Sequence, residues 1–263
     1  MILGTRHLFL RLLDTLSIDL VCDVGSMNGA DALAFRRARP RARVVAFEPN
    51  PHNLEAMRAD TRLPLACIEL LPFAASDTDG VAPFHLVDAD YRQSHHRRGM
   101  SSLHERAEPR LRAGTVPVET RRLDSCLAPP DGGQRRIALW VDVEGKAFEA
   151  LDGARGLWPE IQLLHVEVET RACIAPGQRL HAEVRRLLEA GRFTELACDR
   201  PSSEEQRNAV YVRGDMPRVL QARVAAVARL SRLRHGAISA LRRVNPALLA
   251  RLRRPGGRPC AGC

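Results

Sequence analysis

Short apolar runs alternate along this chain with stretches in which apolar residues return every three or four positions. The runs predict strands near Leu20–Val24, Val44–Glu48, Ile68–Ala74, Ile137–Val141 and Ile161–Val168. The helical spacing falls near Ala30–Arg39, Asn53–Asp60, Lys146–Ala154 and His181–Ala190. Such alternation implies an α/β fold, with parallel strands joined by right-handed crossovers. Phe193–Cys198 and Ala209–Val212 are two further strand candidates, joined by the polar stretch D-R-P-S-S-E-E-Q-R-N, so the sheet is expected to end in an antiparallel strand. The first residues, M-I-L-G-T-R-H-L-F-L-R-L-L-D-T-L, predict an amphipathic helix packed against the sheet. Asp88 to Thr115 lacks periodicity and is expected to form a long irregular insertion over the ligand-binding edge.

The first two strand candidates end in chemistry. V-C-D-V-G-S-M-N-G places Asp23 at a strand end and Gly25 and Gly29 in the turn that follows; 19 positions on (48 minus 29), V-V-A-F-E-P-N places Glu48 at the next strand tip. Glycine serves where backbone needs positive φ or close approach, and an acid at the second strand tip can accept from ribose hydroxyls. A dinucleotide fold instead spaces its glycines G-x-G-x-x-G to receive a pyrophosphate. Here Asp23 stands where a pyrophosphate would be repelled. The pattern favours a cationic, amine-bearing nucleoside, which is to say S-adenosylmethionine rather than NAD.

Composition bounds the remaining choices. With 263 residues, 45% of them hydrophobic, the chain can bury one good core. Seven cysteines, odd in number and mostly scattered in apolar runs, argue against a secreted disulfide framework and for the cytoplasm. The Cys260-x-x-Cys263 pair stands alone and is a weak signal. The net charge of +9 resides in the last segment: residues 216–263 hold eleven arginines and no acid, leaving residues 1–215 at 9 minus 11, or −2. A catalytic domain over residues 1–215 and a basic tail over residues 216–263 are therefore expected. Within the tail Leu220, Val224, Val227 and Leu230 recur at helical spacing among arginines, a pattern suited to peripheral contact with an inner membrane or an acidic partner. Beyond Gly236 the pattern breaks at Asn245-Pro246 and ends in R-R-P-G-G-R-P, so the last stretch is expected to be disordered. Nucleic acid is disfavoured, since the tail has no aromatic residue on which a base would stack.

Six segments together resemble the FkbM family of S-adenosylmethionine-dependent methyltransferases: V-C-D-V-G-S-M-N-G, V-V-A-F-E-P-N-P-H-N-L, F-A-A-S-D-T-D-G, M-S-S-L, V-E-T-R-R-L-D-S and W-V-D-V-E-G-K-A-F-E-A-L-D-G-A. The segments lie between Val21 and Ala154, and the resemblance covers roughly residues 20 to 212. The resemblance implies a class I methyltransferase (Rossmann-like) fold, a seven-stranded, mostly parallel sheet with an antiparallel last strand and helices on both faces. It also implies a cofactor site drawn from Asp23, Gly25, Ser26, Asn28, Gly29, Glu48, Pro49 and Asp77, the last of these placed to accept from the adenine amino group. Ser101 and Ser102 match the family's S-S-L and are expected to shape an acceptor lid. The family often carries Lys where this chain has Trp140 and Glu where it has Ala147; both departures lie on the acceptor side.

The acceptor side rests on Asp142, expected at the carboxyl edge of the fourth strand, and on L-L-H-V-E-V-E, which sends His165 and Glu167 to one face of the neighbouring strand. Two readings of these carboxylates stay open. They could bind a divalent cation that orients a hydroxyl, or serve as general base and hydrogen-bond partner. No metal ligand is assigned. Glu144 opens the next helix and suits its dipole. His95 and His96, beside Arg97 and Arg98, are weaker candidates for a base or an anion grip. The expected reaction is O-methylation of a glycan, a sugar-containing metabolite or a polyketide-like small molecule. The alternative is a catalytically silent cofactor-binding module with a basic anchor. An NAD-dependent sugar oxidoreductase is disfavoured, because a Tyr-x-x-x-Lys base cannot be assembled around Lys146, the sole lysine.

Overall fold

The computed structural model describes residues 4–88, 99–127, 135–199 and 205–244, with side chains of the final helix described as far as Leu233. After helix α1 (Thr5–Thr15), strand β1 (Leu20–Val24), helix α2 (Ala30–Ala38), strand β2 (Arg43–Phe47), helices α3 (Pro51–Ala59) and α4 (Arg62–Leu65) and strand β3 (Ile68–Leu71) build one half of a sheet. A small second sheet follows, made of β4 (Ala74–Ala75), β5 (Gly80–Val87) and β6 (Arg112–Arg121). The chain then re-enters the main sheet through α5 (Leu123–Cys126), β7 (Ile137–Val141), α6 (Ala147–Asp152), β8 (Ile161–Glu169), α7 (His181–Ala190), β9 (Phe193–Cys198) and β10 (Gln206–Arg213). Helix α8 (Arg218–Val244) closes the described fold.

The main sheet has seven strands in the order β3-β2-β1-β7-β8-β10-β9, with β10 antiparallel to both neighbours and the other pairings parallel. This is the class I methyltransferase arrangement expected from the sequence. β1 and β7 are buried at every position, because helices cover both faces of the sheet. Alternate residues of β1 accordingly feed two cores: Leu20, Cys22 and Val24 point to the side of α6 and α7, and Val21 to the side of α1, α2 and α8. Helix α1 behaves as its pattern predicts, burying Leu8, Phe9, Leu12 and Leu13.

The structure corrects three expectations. Residues 68–74 are two strands rather than one: β3 stops at Leu71, and Pro72, with no N–H to give a ladder, precedes a turn into the second sheet. The stretch from Asp88 to Thr115 is not wholly irregular, for β6 begins at Arg112 and pairs antiparallel with β5. Only Val118 and Thr120 of β6 are buried, and its first four residues are all exposed, so its alternation is short. Residues 89–98, and with them His95 and His96, lie outside the described residues. Finally, the start of the basic tail is part of the packed fold. Val224 and Ala228 of α8 are buried in the same core as Leu8 and Phe9 of α1, with Leu220 and Val227 packed against it.

Candidate active site

The strand order reverses between β1 and β7, and a cleft opens there at the carboxyl ends of the strands, as the topology of open α/β sheets requires. It encloses about 510 Å³, part of it open to solvent, a size suited to a nucleoside-sized ligand with an acceptor beside it. Gly25, Met27, Glu48, Pro49, Asp142 and Glu144 line it on the polar side. Phe47, Phe73, Ala74, Ala75, Phe84 and Leu103 form an apolar wall, part of which comes from the second sheet. A flat heterocycle fits such a wall by stacking and burial.

On the β1–β2 side the acids are held by the protein's own donors. Asp23 is buried, and its Oδ2 accepts from Ser26 Oγ at 2.6 Å and from the Ala32 N–H at 3.1 Å, so it organises the start of α2. Burial pushes its carboxyl up to about 7, against the lowering effect of those hydrogen bonds. Asn28 Oδ1 accepts from the Ala30 N–H at 3.0 Å and completes the turn. Glu48, just past β2, reaches across to the same loop. Its Oε2 accepts from the Met27 N–H at 2.6 Å, and its Oε1 from the Asn50 N–H at 2.8 Å and Asn53 Nδ2 at 3.3 Å. Burial raises its pKa, and the two backbone donors and Asn53 work the other way. A carboxylate offers about four acceptor positions. Three are occupied, so a ribose diol can be gripped through both hydroxyls only if the long Asn53 contact yields.

On the β7–β8 side the acids face one another. Asp142 follows β7, and its carboxylate lies within 4.8 Å of that of Glu167 on β8, close enough for the two to compete for one proton. Burial, then the neighbouring negative charges, hold both well above the ordinary carboxylate range. Gln206 Nε2 donates to Glu167 Oε1 at 3.0 Å. Glu144 lies beside them at φ +47°, its carboxylate paired with Arg106 at 2.6 Å, with both side chains mostly buried. Oxygens of Asp142, Glu144 and Glu167 lie within 4.8 Å of one another, near enough to share a cation. The donor set nevertheless fits one poorly: Glu144 already has its counter-charge in Arg106, and burial raises the pKa of the other two.

The two sides meet at Gly25. Its φ is +87°, and a Cβ there would stand 1.8 Å from the Asp142 carbonyl oxygen. Glycine is demanded by this backbone contact and by the left-handed turn rather than by a ligand alone. The turn is further tied by Gly25 and Ser26 N–H groups donating to Phe47 O, and by the Asp142 N–H donating to Val24 O.

This geometry can be set beside known proteins. The family described as the methyltransferase FkbM domain matches residues 23–195, from Asp23 in β1 to Glu195 in β9. The chain belongs to the FkbM methyltransferase family. Among curated relatives, the 2-O-methyltransferase NoeI of Sinorhizobium fredii is 29% identical over 155 residues, covering 56% of this chain and 62% of NoeI. The methyltransferase sdnD of Sordaria araneosa is 29% identical over 156 residues, covering 51% and 59% respectively. The chain thus matches about three fifths of the length of each. Among solved structures, precorrin-6y C5,15-methyltransferase of Geobacter metallireducens has a TM-score of 0.42 at 11% identity, with 79% and 86% of the two chains covered. That likeness is confined to the outline of the fold.

Most of the expected site residues fall into two groups in space. Gly25, Glu48, Pro49 and Asp142 line the cleft, with Glu167 beside Asp142. Asp23, Ser26, Asn28 and Gly29 shape the loop beneath it; Gly29, at φ +73°, packs where a Cβ would meet Leu63 at 2.6 Å. His165 and Asp77 belong to neither group. His165 is two residues deeper in β8 than Glu167, stacked on Trp140 at 3.5 Å and 2°, with Nε2 3.2 Å from Thr5 Oγ1. Burial drives its pKa down to about 3, which suits a neutral core residue under α1 and not a base at the acceptor edge. Trp140, where the family often has Lys, is the flat partner of that stack. Asp77 stands two residues past Ala75 and outside the cleft, its side chain accepting from Ser76 Oγ and its carbonyl from Arg122.

Several lining residues were not singled out by the sequence. Met27, at φ +54°, and Asn53 hold the Glu48 carboxylate. Arg106 ties Glu144 to the second sheet's side of the cleft, and its Nε donates to Met100 O at 2.7 Å. The S-S-L motif gave a signal for this region. Ser101 Oγ accepts from Asn50 Nδ2 and the Val87 N–H, and Ser102 Oγ donates to Glu144 O at 2.7 Å.

Proposed function

We propose that this FkbM protein transfers a methyl group from S-adenosylmethionine to a hydroxyl oxygen of a sugar-bearing small molecule or glycan, with the Asp142–Glu167 pair receiving the hydroxyl proton. The observation that carries this reading is the close approach of the Asp142 and Glu167 carboxylates, within 4.8 Å, with Asp142 lining the cleft that Glu48 enters from the other side. S-adenosylmethionine brings a methyl group already activated on a sulfonium. The protein's part is to align and to take a proton, since in-line displacement depends on holding acceptor and donor in one geometry. Glu48 and Pro49 would hold the nucleoside, Phe47 and Phe73 would flank its base, and the loop from Gly25 to Gly29 would surround its amino-acid end. Asp23, Ser26 and Asn28 serve by fixing that loop.

Acid–base economy supports oxygen as the accepting atom. An alcohol must lose a proton as its oxygen is methylated, and the anionic member of a pair with raised pKa is matched to that task near neutral pH. The acidic edge also favours a cationic donor over a pyrophosphate. NoeI, named a 2-O-methyltransferase, adds support for a hydroxyl acceptor of the sugar class. A divalent cation is not invoked.

The test is incubation with methyl-labelled S-adenosylmethionine and a panel of oligosaccharide and glycosylated small-molecule acceptors. Label recovered as a sugar methyl ether is the expected result. Label recovered on nitrogen or carbon would overturn the proposed acceptor class, and failure to bind S-adenosylhomocysteine would overturn the donor.

A further inference from the structure

Helix α8 carries two apolar stripes, and the domain uses one of them. Leu220, Val224, Val227, Ala228 and Ser231 turn toward α1 and the core. The second stripe, Val219, Ala222, Ala226, Leu230 and Leu233, follows the same three-and-four spacing on another face and is exposed throughout. Its large members, Val219, Leu230 and Leu233, are 70%, 62% and 61% exposed, three of the five exposed large hydrophobic residues among the described ones. Of the stripe expected from sequence alone, only Leu230 lies on this outer face. Arg218, Arg223, Arg229 and Arg232 are exposed along its borders, and residues 216–263 contain no acid.

We propose that this outer face docks α8 flat on an anionic lipid bilayer. The chemistry matches that occupant in both of its components. Apolar side chains enter the acyl boundary while flanking guanidinium groups reach phosphates at the headgroup level. The stripe holds only three large side chains, so apolar burial alone is weak and the arginines must supply the rest, which makes the contact dependent on lipid charge and on salt. A second copy of the chain would bring the same positive borders against these and be repelled. A single-stranded nucleic acid would find no aromatic residue for stacking. No helix among the described residues is long and apolar enough to cross a membrane, so the contact lies in the interface plane. Packing of the inner stripe against α1 fixes the helix to the catalytic domain, and the docked face would therefore set the cleft's orientation to the lipid surface.

The test is sedimentation of the full chain with vesicles of phosphatidylglycerol and phosphatidylcholine in equal parts, and with phosphatidylcholine alone. Binding is expected only to the first, and it should fade as salt rises from about 0.1 M to about 1 M, where the screening length drops from about 10 Å to about 3 Å. The double variant Leu230→Glu/Leu233→Glu and the double variant Arg229→Glu/Arg232→Glu should each weaken binding about tenfold or more. Both alter exposed residues, so circular dichroism and S-adenosylhomocysteine affinity should match the unmodified chain. Equal binding to both vesicle types, no binding to either, or undiminished binding of both variants would overturn the proposal. So would self-association of the unmodified chain abolished by Leu230→Glu/Leu233→Glu, which would give the stripe to a second copy.

Discussion

On the β1–β2 side of the cleft, Asp23 and Glu48 are buried and satisfied by hydroxyl, amide and main-chain donors within a few residues of each other. On the β7–β8 side, the half-buried Asp142 and Glu167 lie close together and compete for a proton, while Glu144 depends on Arg106 from the β5–β6 connection. The same residue type is thus treated in opposite ways a few ångströms apart, with Gly25 pressed on the Asp142 backbone between the two sides. Acids whose oxygens are taken up by hydroxyl, amide and main-chain donors make a preformed binding edge. Acids that compete for one proton make an edge whose charge changes with pH, which is what chemistry on a hydroxyl needs. Binding and proton transfer should accordingly be separable by substitution.

The largest effect is expected from Asp142→Asn. Its turnover should fall about 10²–10⁴-fold, the contribution of a positioned general base, in a methyl-transfer assay at saturating donor. Undiminished turnover would remove Asp142 from the proton path. Next comes Glu48→Ala, which should weaken S-adenosylhomocysteine binding by about 1.5–3 kcal/mol, the range for hydrogen bonds to a charged group. A thermal melt should accompany it, because the Met27 and Asn50 N–H groups lose their acceptor as well. An unchanged dissociation constant in a folded variant would take the nucleoside away from β2.

Smaller effects sharpen the contrast through pH. Activity should fall as pH drops through the raised pKa of the Asp142–Glu167 pair, since the anionic member is then lost. Glu167→Gln removes the charge that, after burial, does most to raise Asp142, so the acid limb of kcat/KM should move to lower pH in that variant. A limb that stays in place would detach the profile from the pair. Asp23→Asn should change S-adenosylhomocysteine affinity only about fivefold or less, since its role is to hold a loop and an amide oxygen can still accept from Ser26 and Ala32. Its stability should respond to pH in a definite sense. Burial raises folded Asp23 to about 7 from 3.8, so the native state keeps a proton that the unfolded chain has released, and stability contributed by this group is lost as pH rises across that window. Asn has no such loss, and its urea midpoint relative to the unmodified chain should rise between those pH values. A relative midpoint that falls would contradict the assignment.

Much of this contrast was legible in the residues. The tips of β1, β2 and β7 announce themselves as acids after apolar runs, and Asp23, Glu48 and Asp142 lie where those runs end. Strand alternation correctly put His165 and Glu167 on one face, yet alternation says nothing of depth. His165 lies under α1, stacked on Trp140, a contact between two strands and a helix far apart in sequence. The second sheet escaped because the alternation of β6 is confined to Val116, Val118 and Thr120, follows four exposed residues and is interrupted by Pro117. Arg106 escaped for a related reason: an arginine in an unpatterned segment reads as surface until the fold brings Glu144 to it. The tail's helix was visible as an amphipathic pattern, but which stripe faces the core depends on α1 and cannot be read from α8 alone.

The separation of the two sides is tested most directly by calorimetric titration of S-adenosylhomocysteine into Asp142→Asn, with Glu48→Ala and the unmodified chain measured alongside. Asp142→Asn should bind within about twofold of the unmodified chain, because its contribution is made in the transition state, while Glu48→Ala binds at least about tenfold more weakly. Equal loss of affinity in both variants would mean that the acids of the cleft act as a single binding unit, and the division into a binding edge and a proton-accepting edge would be wrong.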